Sequence, residues 1–207
     1  DLLGYLLSVA SLILFFLAVR MVKYGLTEET DILSRYMWYS YYVAQCLIPP
    51  TILLLSLSLE RKNGRPLGRG WYAVYLPALV LLCLLYTNDL HGWAFALRFE
   101  DGGLSYTHGP VFYLAMVWEI GVTALSLGVL TVRCSISACR KKGWIPVCTL
   151  AVCAVFTLLC FVFDPPAFKQ PELLCLTCIA VLESCIAIGL IPSNAGYGGF
   201  IDRSVCP

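Results

Sequence analysis

Charge is scarce in this sequence: Lys, Arg, Asp and Glu together make up 13% of its 207 residues. A soluble domain of that size carries a charged shell of roughly a quarter of its residues. A water-facing globule is therefore excluded, and most of the surface must face lipid. Catalytic signatures are missing too, with no GxSxG elbow, HExxH helix, Walker loop or phosphate-cradling glycine loop. No cofactor is expected and the chain is not expected to be an enzyme. Net charge is only +1 and no basic stripe is interleaved with exposed aromatics, so nucleic acid is not an expected partner.

Hydrophobic residues, by contrast, make up 59% of the chain, with a mean hydropathy of +0.80. The eleven cysteines are an odd number, and Cys46, Cys83, Cys148, Cys153, Cys160, Cys175, Cys178 and Cys185 lie inside apolar runs, where cysteine packs as a small hydrophobe. Cys175-Leu-Thr-Cys178 has a spacing that metal or redox sites use, yet on a helix it equally gives two neighbouring packing positions. No disulfide framework is implied.

A membrane-spanning helix needs about 20 apolar residues. Six runs approach or meet this, at 2–22, 37–59, 71–86, 111–132, 144–163 and 173–191. The expected fold is an all-α integral membrane bundle with six spans in this chain. The third run is the shortest and would reach only about 24 Å as a helix, so it is expected to continue past Thr87 or to meet an uneven bilayer edge. Trp38 and Tyr39, Trp71 and Tyr72, and Trp144 stand near span ends, where interfacial aromatics belong. Pro49, Pro50, Pro77, Pro146 and Pro192 fall within or at the ends of runs, tolerable in lipid if neighbours satisfy the freed carbonyls.

Basic residues set the orientation. Loop 60–70 carries Arg61, Lys62, Arg65 and Arg69; loop 133–143 carries Arg133, Arg140, Lys141 and Lys142. Both fall on one side by parity and are expected in the cytoplasm, in a plasma (inner) membrane. Both ends of the chain then lie there too, and 193–207 forms a cytoplasmic exit segment. Segments 23–36, 87–110 and 164–172 lie outside, where Arg20, Lys23 and Arg35 sit against the rule. The chain opens at Asp1 rather than Met, so an upstream piece is expected.

Between the third and fourth runs the pattern changes. Trp93, Phe95, Leu97 and Phe99 alternate with Ala94, Ala96, Arg98 and Glu100, a period of two. Asp101-Gly102-Gly103 suits a turn. A short β-hairpin over about 93–108 is expected to lie on the outer mouth of the bundle.

Several polar residues could carry function. Glu119 and Glu183 fall deep in spans, where ionisable groups are costly and face the bundle interior. Glu119 shares a stripe with Ala115, Thr123 and Ser126; Glu183 shares one with Ala180 and Ala187. Each is either functional or a hydrogen-bonded packing group. Trp38, Tyr41, Tyr42, Gln45 and Pro49 fall on one helical face, which either lines a ligand pocket or forms an aromatic belt. Asn88 and His91 mark the corner after the third span, and His108 precedes the fourth. Two histidines invite a zinc reading, but no short, regular ligand spacing supports one. A hydrogen-bonding corner is the simpler role for His91, and its ordinary titration range also admits pH sensing.

The order of short motifs resembles a known family. Ser34-Arg35-Tyr36-Met37-Trp38-Tyr39-Ser40-Tyr41-Tyr42, Ile48-Pro49, Thr87-Asn88-Asp89-Leu90-His91, Gly109-Pro110-Val111-Phe112 and Leu190-Ile191-Pro192-Ser193-Asn194, with Tyr197 and Phe200, are similar to the seven-span sensor region at the amino end of many bacterial histidine kinases. The resemblance implies one further span ahead of this chain, a homodimer and a cytoplasmic output domain. It implies a signal-input module that takes an unknown small-molecule ligand or physical stimulus from the outer side and transmits it through the last helix. The alternative from the residues alone is a small proton-coupled carrier using the buried carboxylates, although the two halves of the chain show no matching segments.

Overall fold

The computed structural model describes residues 2–26, 32–58, 67–100, 103–133, 142–163 and 170–188. Most of loops 60–70 and 133–143, the turn residues Asp101 and Gly102, the exit segment from Pro192 and the Cys175 side chain lie outside the described residues. The elements are α1 (Leu2–Leu26), α2 (Ile32–Ser58), a 3-10 helix (Arg69–Val74) running into α3 (Tyr75–Tyr86), the one-turn α4 (Asn88–His91), β1 (Phe95–Glu100), β2 (Gly103–His108) and α5 (Pro110–Arg133). Two further helices follow, α6 (Trp144–Phe163) and α7 (Gln170–Ala187).

Among the described residues, four stretches are long and apolar enough to cross a membrane: Gly4–Leu26, Ile32–Ser58, Arg69–Tyr86 and Pro110–Val132. The apolar helices α6 and α7 run 20 and 18 residues. The third span gains its length at its start rather than past Thr87, because the 3-10 turn at Arg69–Val74 precedes α3 and Gly92, at φ +66°, closes α4 in the left-handed conformation. Outward-facing Leu14, Met21, Val117, Ile120 and Val152 are each more than half exposed, the apolar coat that hydrocarbon covers.

The chain divides into two compact units. The first comprises residues 1–58 and 62–126, and α2 is its centre: 78% of its apolar window is buried, against 17% for α1. Pro49 and Pro50 sit inside α2. A proline leaves the carbonyl four residues earlier without its helical donor. The carbonyl freed by Pro50 is that of Cys46, and the indole N–H of Trp118 on α5 donates to it at 3.3 Å. Thr51 donates to the Leu47 carbonyl at 2.7 Å and shares a 2.8 Å hydrogen bond with the Tyr75 hydroxyl. Side chains of α3 and α5 thus hold the proline-broken stretch of α2, as the bilayer requires.

A buried core joins α2, α3, the start of β1 and the start of α5 through Tyr39, Tyr42, Cys46, Leu81, Leu85, Phe95, Val111 and Phe112. The hairpin pairs antiparallel from Phe95↔His108 to Glu100↔Gly103. Pairing starts at Phe95 rather than Trp93, whose side chain is exposed. The second unit contains the end of α5 from Leu127, with α6 and α7 packed on each other. Its buried positions include Leu127, Leu130, Cys160, Leu173 and Cys185.

Candidate functional site

The corner between α3 and the hairpin is built around one amide. Asn88 is 1% exposed. Its Oδ1 accepts from the Ala94 and Phe95 N–H groups at 2.8 and 2.9 Å, while its Nδ2 donates to the Phe95 carbonyl at 2.9 Å and to the Tyr39 hydroxyl at 3.2 Å. Both donors and both acceptor positions are used. The Tyr39 hydroxyl in turn donates to Asp89 Oδ1 at 2.8 Å, and Asp89 Oδ2 lies 3.4 Å from the Arg35 guanidinium. A continuous polar chain therefore links Arg35 and Tyr39 of α2 to α4 and β1.

His91 secures the same corner. The Trp93 backbone N–H donates to its Nδ1 at 3.0 Å, so the ring proton sits on Nε2, 3.2 Å from the Thr87 hydroxyl oxygen. That hydroxyl spends its own proton on the Cys83 carbonyl at 2.7 Å. Beyond the hairpin, Gly109 N–H donates to the Ala94 carbonyl at 2.7 Å, and a Cβ at Gly109 would collide with the Trp93 carbonyl oxygen. Only glycine lets β2 turn into α5 this closely.

The space directly beneath the hairpin is filled with rings. Phe95 is their hub, with centroids 4.3 Å from Trp38, 5.7 Å from Tyr42, 5.8 Å from Phe112 and 5.9 Å from His108. His108 lies against Phe112 with ring centroids 4.0 Å apart, and its partly buried imidazole is held below its ordinary pKa by desolvation. The cavity lies to one side. About 380 Å³ opens between Arg35, the α4 turn at Asn88–His91 and the β1 residues Phe95, Ala96 and Leu97, near the lower end of the range for small-molecule pockets, roughly 300–1,000 Å³. A shallower cleft of about 430 Å³, lined by Ser8, Ser11, Leu47, Thr51 and Tyr75, runs between α1 and its neighbours.

The structure sorts the residues singled out by sequence. Asn88 and His91 line the cavity, while Trp38 and Tyr42 pack in the aromatic cluster beside it. Gln45 donates from Nε2 to Glu119 Oε2 at 3.0 Å, tying α2 to α5, and Ala115 and Ser126 of the Glu119 stripe are buried as its pattern predicts. Tyr41 departs from the expected face: it packs on Phe16 of α1 at 5.3 Å, with the Lys23 ammonium 5.7 Å from its ring. Glu183 is exposed on α7, as is Ala187 of its stripe, in place of the expected inward face. Among the described residues no three His, Cys, Asp or Glu side chains gather as a metal site.

Sequence reasoning missed Arg35, Tyr39, Asp89, Phe95 and Trp118. Arg35, Tyr39 and Asp89 stood in the motifs that carry the resemblance but not as site residues, and Phe95 stood out as one member of an alternating strand. Most of these roles depend on partners far away in the chain, 50 positions for Tyr39 and Asp89 and 72 for Trp118 and Cys46.

Neither a curated protein nor a solved structure matches the chain. A family model does, described as the N-terminal 7TM region of histidine kinase, and it covers residues 3–190. That span takes in all four long apolar stretches, the hairpin and the polar corner. The chain is a multi-pass membrane protein and belongs to the N-terminal seven-transmembrane sensor region of histidine kinases.

Proposed function

We propose that this chain is a signal-input module that receives a small molecule or physical stimulus on the outer side of the plasma membrane and passes it through its last helix to a cytoplasmic output domain. The observation that carries this reading is the Arg35–Asp89–Tyr39–Asn88–Phe95 chain, which connects the wall of a cavity to the most buried helix of the first unit. A stimulus that changes any link biases how α2 sits against the hairpin, and it shifts a two-state equilibrium only by its difference in affinity for the two states. In this arrangement the basic loops 60–70 and 133–143 face the cytoplasm and the hairpin faces outward. The module works as a homodimer, as the family resemblance implies.

The test is signalling output of the full-length protein with Asn88→Ala or His91→Ala, alongside a measurement of membrane insertion. Output shifts while insertion is retained. Unchanged output in both variants removes the corner from the signalling path.

A further inference from the structure

The cavity has a feature that a plain corner would not need: one wall is an unpaired strand edge. In an antiparallel ladder, mutually bonded and non-bonded residue pairs alternate. The Gly109 N–H to Ala94 carbonyl bond fixes the phase. Phe95↔His108 is then a non-bonded pair, Ala96↔Thr107 a bonded one and Leu97↔Tyr106 non-bonded again. The N–H and C=O of Phe95 point away from β2, and the Asn88 amide takes both, at 2.9 Å each. Asn88 thus acts as the first unit of a third strand. Two residues on, about 6.6 Å along the edge, the N–H and C=O of Leu97 point the same way, and Leu97 lines the cavity. Among the described residues neither group has a hydrogen-bond partner.

The lining also supplies a cation, Arg35. Arg35 meets Asp89 through one nitrogen at 3.4 Å, a long contact, and its Nε is buried without a hydrogen bond. A guanidinium used this sparingly retains the capacity for a bidentate carboxylate. Asp89 opposes an anion there, but one of its oxygens is committed to Tyr39.

We propose that the cavity binds a small ligand carrying a secondary amide and a free carboxylate, an N-acylated amino acid or short peptide, which continues the strand begun by Asn88 on the β1 edge and places its carboxylate on Arg35. Strand addition of this kind takes affinity from main-chain hydrogen bonds and selectivity from the pocket around them. The proposal rests on the signal-input reading and names the ligand class for it.

Binding of a panel of N-acetylated dipeptides with free C-terminal carboxylates, measured calorimetrically on the protein in lipid nanodiscs, tests it. At least one member binds, and its C-terminal amide binds about tenfold more weakly, the loss of a hydrogen bond to a charged group. Arg35→Gln abolishes that discrimination. Leu97→Pro removes one N–H from the free edge and none from the β1–β2 ladder, a position where proline is tolerated; it weakens binding several-fold while the hairpin amides stay protected from exchange. Failure of every panel member to bind overturns the proposal, as does equal binding to Leu97→Pro. Concentration-dependent protection of the Leu97 amide without added peptide assigns the edge to a second copy and overturns it too. If the panel fails while Asn88→Ala still shifts output, the ligand class is wrong and the input reading stands. If peptides bind while Asn88→Ala and His91→Ala leave output unchanged, the site is real and the input reading falls.

Discussion

At the residue scale, the Asn88 amide and the Cys46 carbonyl freed by Pro50 are both satisfied by partners from other elements. Replacing Asn88 with Ala would strand the Ala94 and Phe95 N–H groups and the Phe95 carbonyl, and each buried orphan costs about 1–3 kcal/mol. Water entering from the adjacent cavity offsets part of that. The expected loss is about 3 kcal/mol, read as a lower unfolding midpoint in detergent with faster amide exchange at Ala94 and Phe95. Asn88→Asp does not rescue it, because its second oxygen faces the Phe95 carbonyl oxygen. Trp118 offers a milder case. Trp118→Phe keeps a ring but leaves the Cys46 carbonyl without its donor, and interhelical hydrogen bonds in membranes average about 0.6 kcal/mol. A loss near 1 kcal/mol is expected, and Trp118→Phe would match the wild-type midpoint only if the carbonyl freed by Pro50 had found another donor. Asn88 stood out in sequence as a polar residue at a span end. That its amide imitates a strand could not be read there, because the imitation needs Phe95 placed seven residues on in a defined register.

At the element scale, the apolar runs were legible because lipid imposes one simple demand, length and greasiness, on every spanning helix. The period-two stretch was legible for the same kind of reason, and strands appear at Phe95–Glu100 and Gly103–His108. What escaped was how elements share faces. Tyr41 was grouped with Trp38 and Tyr42 by spacing, but residues three or four apart still spread around a helix, and α1 takes the Tyr41 side. The same packing gives the hairpin a pH dependence. His108 sits among Phe95, Tyr106, Phe112 and Tyr113, and burial lowers its pKa from the ordinary 6.5. Below 6.5 the unfolded chain binds the proton first, so stability rises with pH across the window between the lowered value and 6.5. The hairpin contribution is whole above that window, falls as pH descends through it, and is flat below. The unfolding midpoint should therefore drop as pH falls below the ordinary 6.5 through the lowered value, and His108→Phe should remove that part of the drop. An undiminished drop in His108→Phe would assign it to other groups.

At the scale of the whole molecule, the membrane arrangement follows from charge as much as from greasiness. Among the described residues four stretches meet the length needed to cross; the six-span reading adds α6 and α7, helices of 20 and 18 residues. Arg61, Lys62, Arg65 and Arg69 share a side with Arg133, Arg140, Lys141 and Lys142 if the intervening helices each cross once, and together they hold eight of the fourteen basic residues. On the same arrangement the cationic groups of α1 and the start of α2 would lie on the other side; Lys23 is near the rings of Tyr24, Trp38 and Tyr41, and Arg35 pairs with Asp89. Aromatic faces and a carboxylate partner them, which lessens their pull on topology. Cysteines introduced at Lys62, Lys141 and Leu90 test this directly with a membrane-impermeant thiol reagent on intact cells, scored over the native-cysteine background. Leu90 is 86% exposed on α4 and should label from outside, whereas Lys62 and Lys141 should label only after permeabilisation. Labelling at Lys62 or Lys141 in intact cells would invert the bundle, put the Arg35–Asp89 cavity in the cytoplasm and take the outward-facing receptor with it.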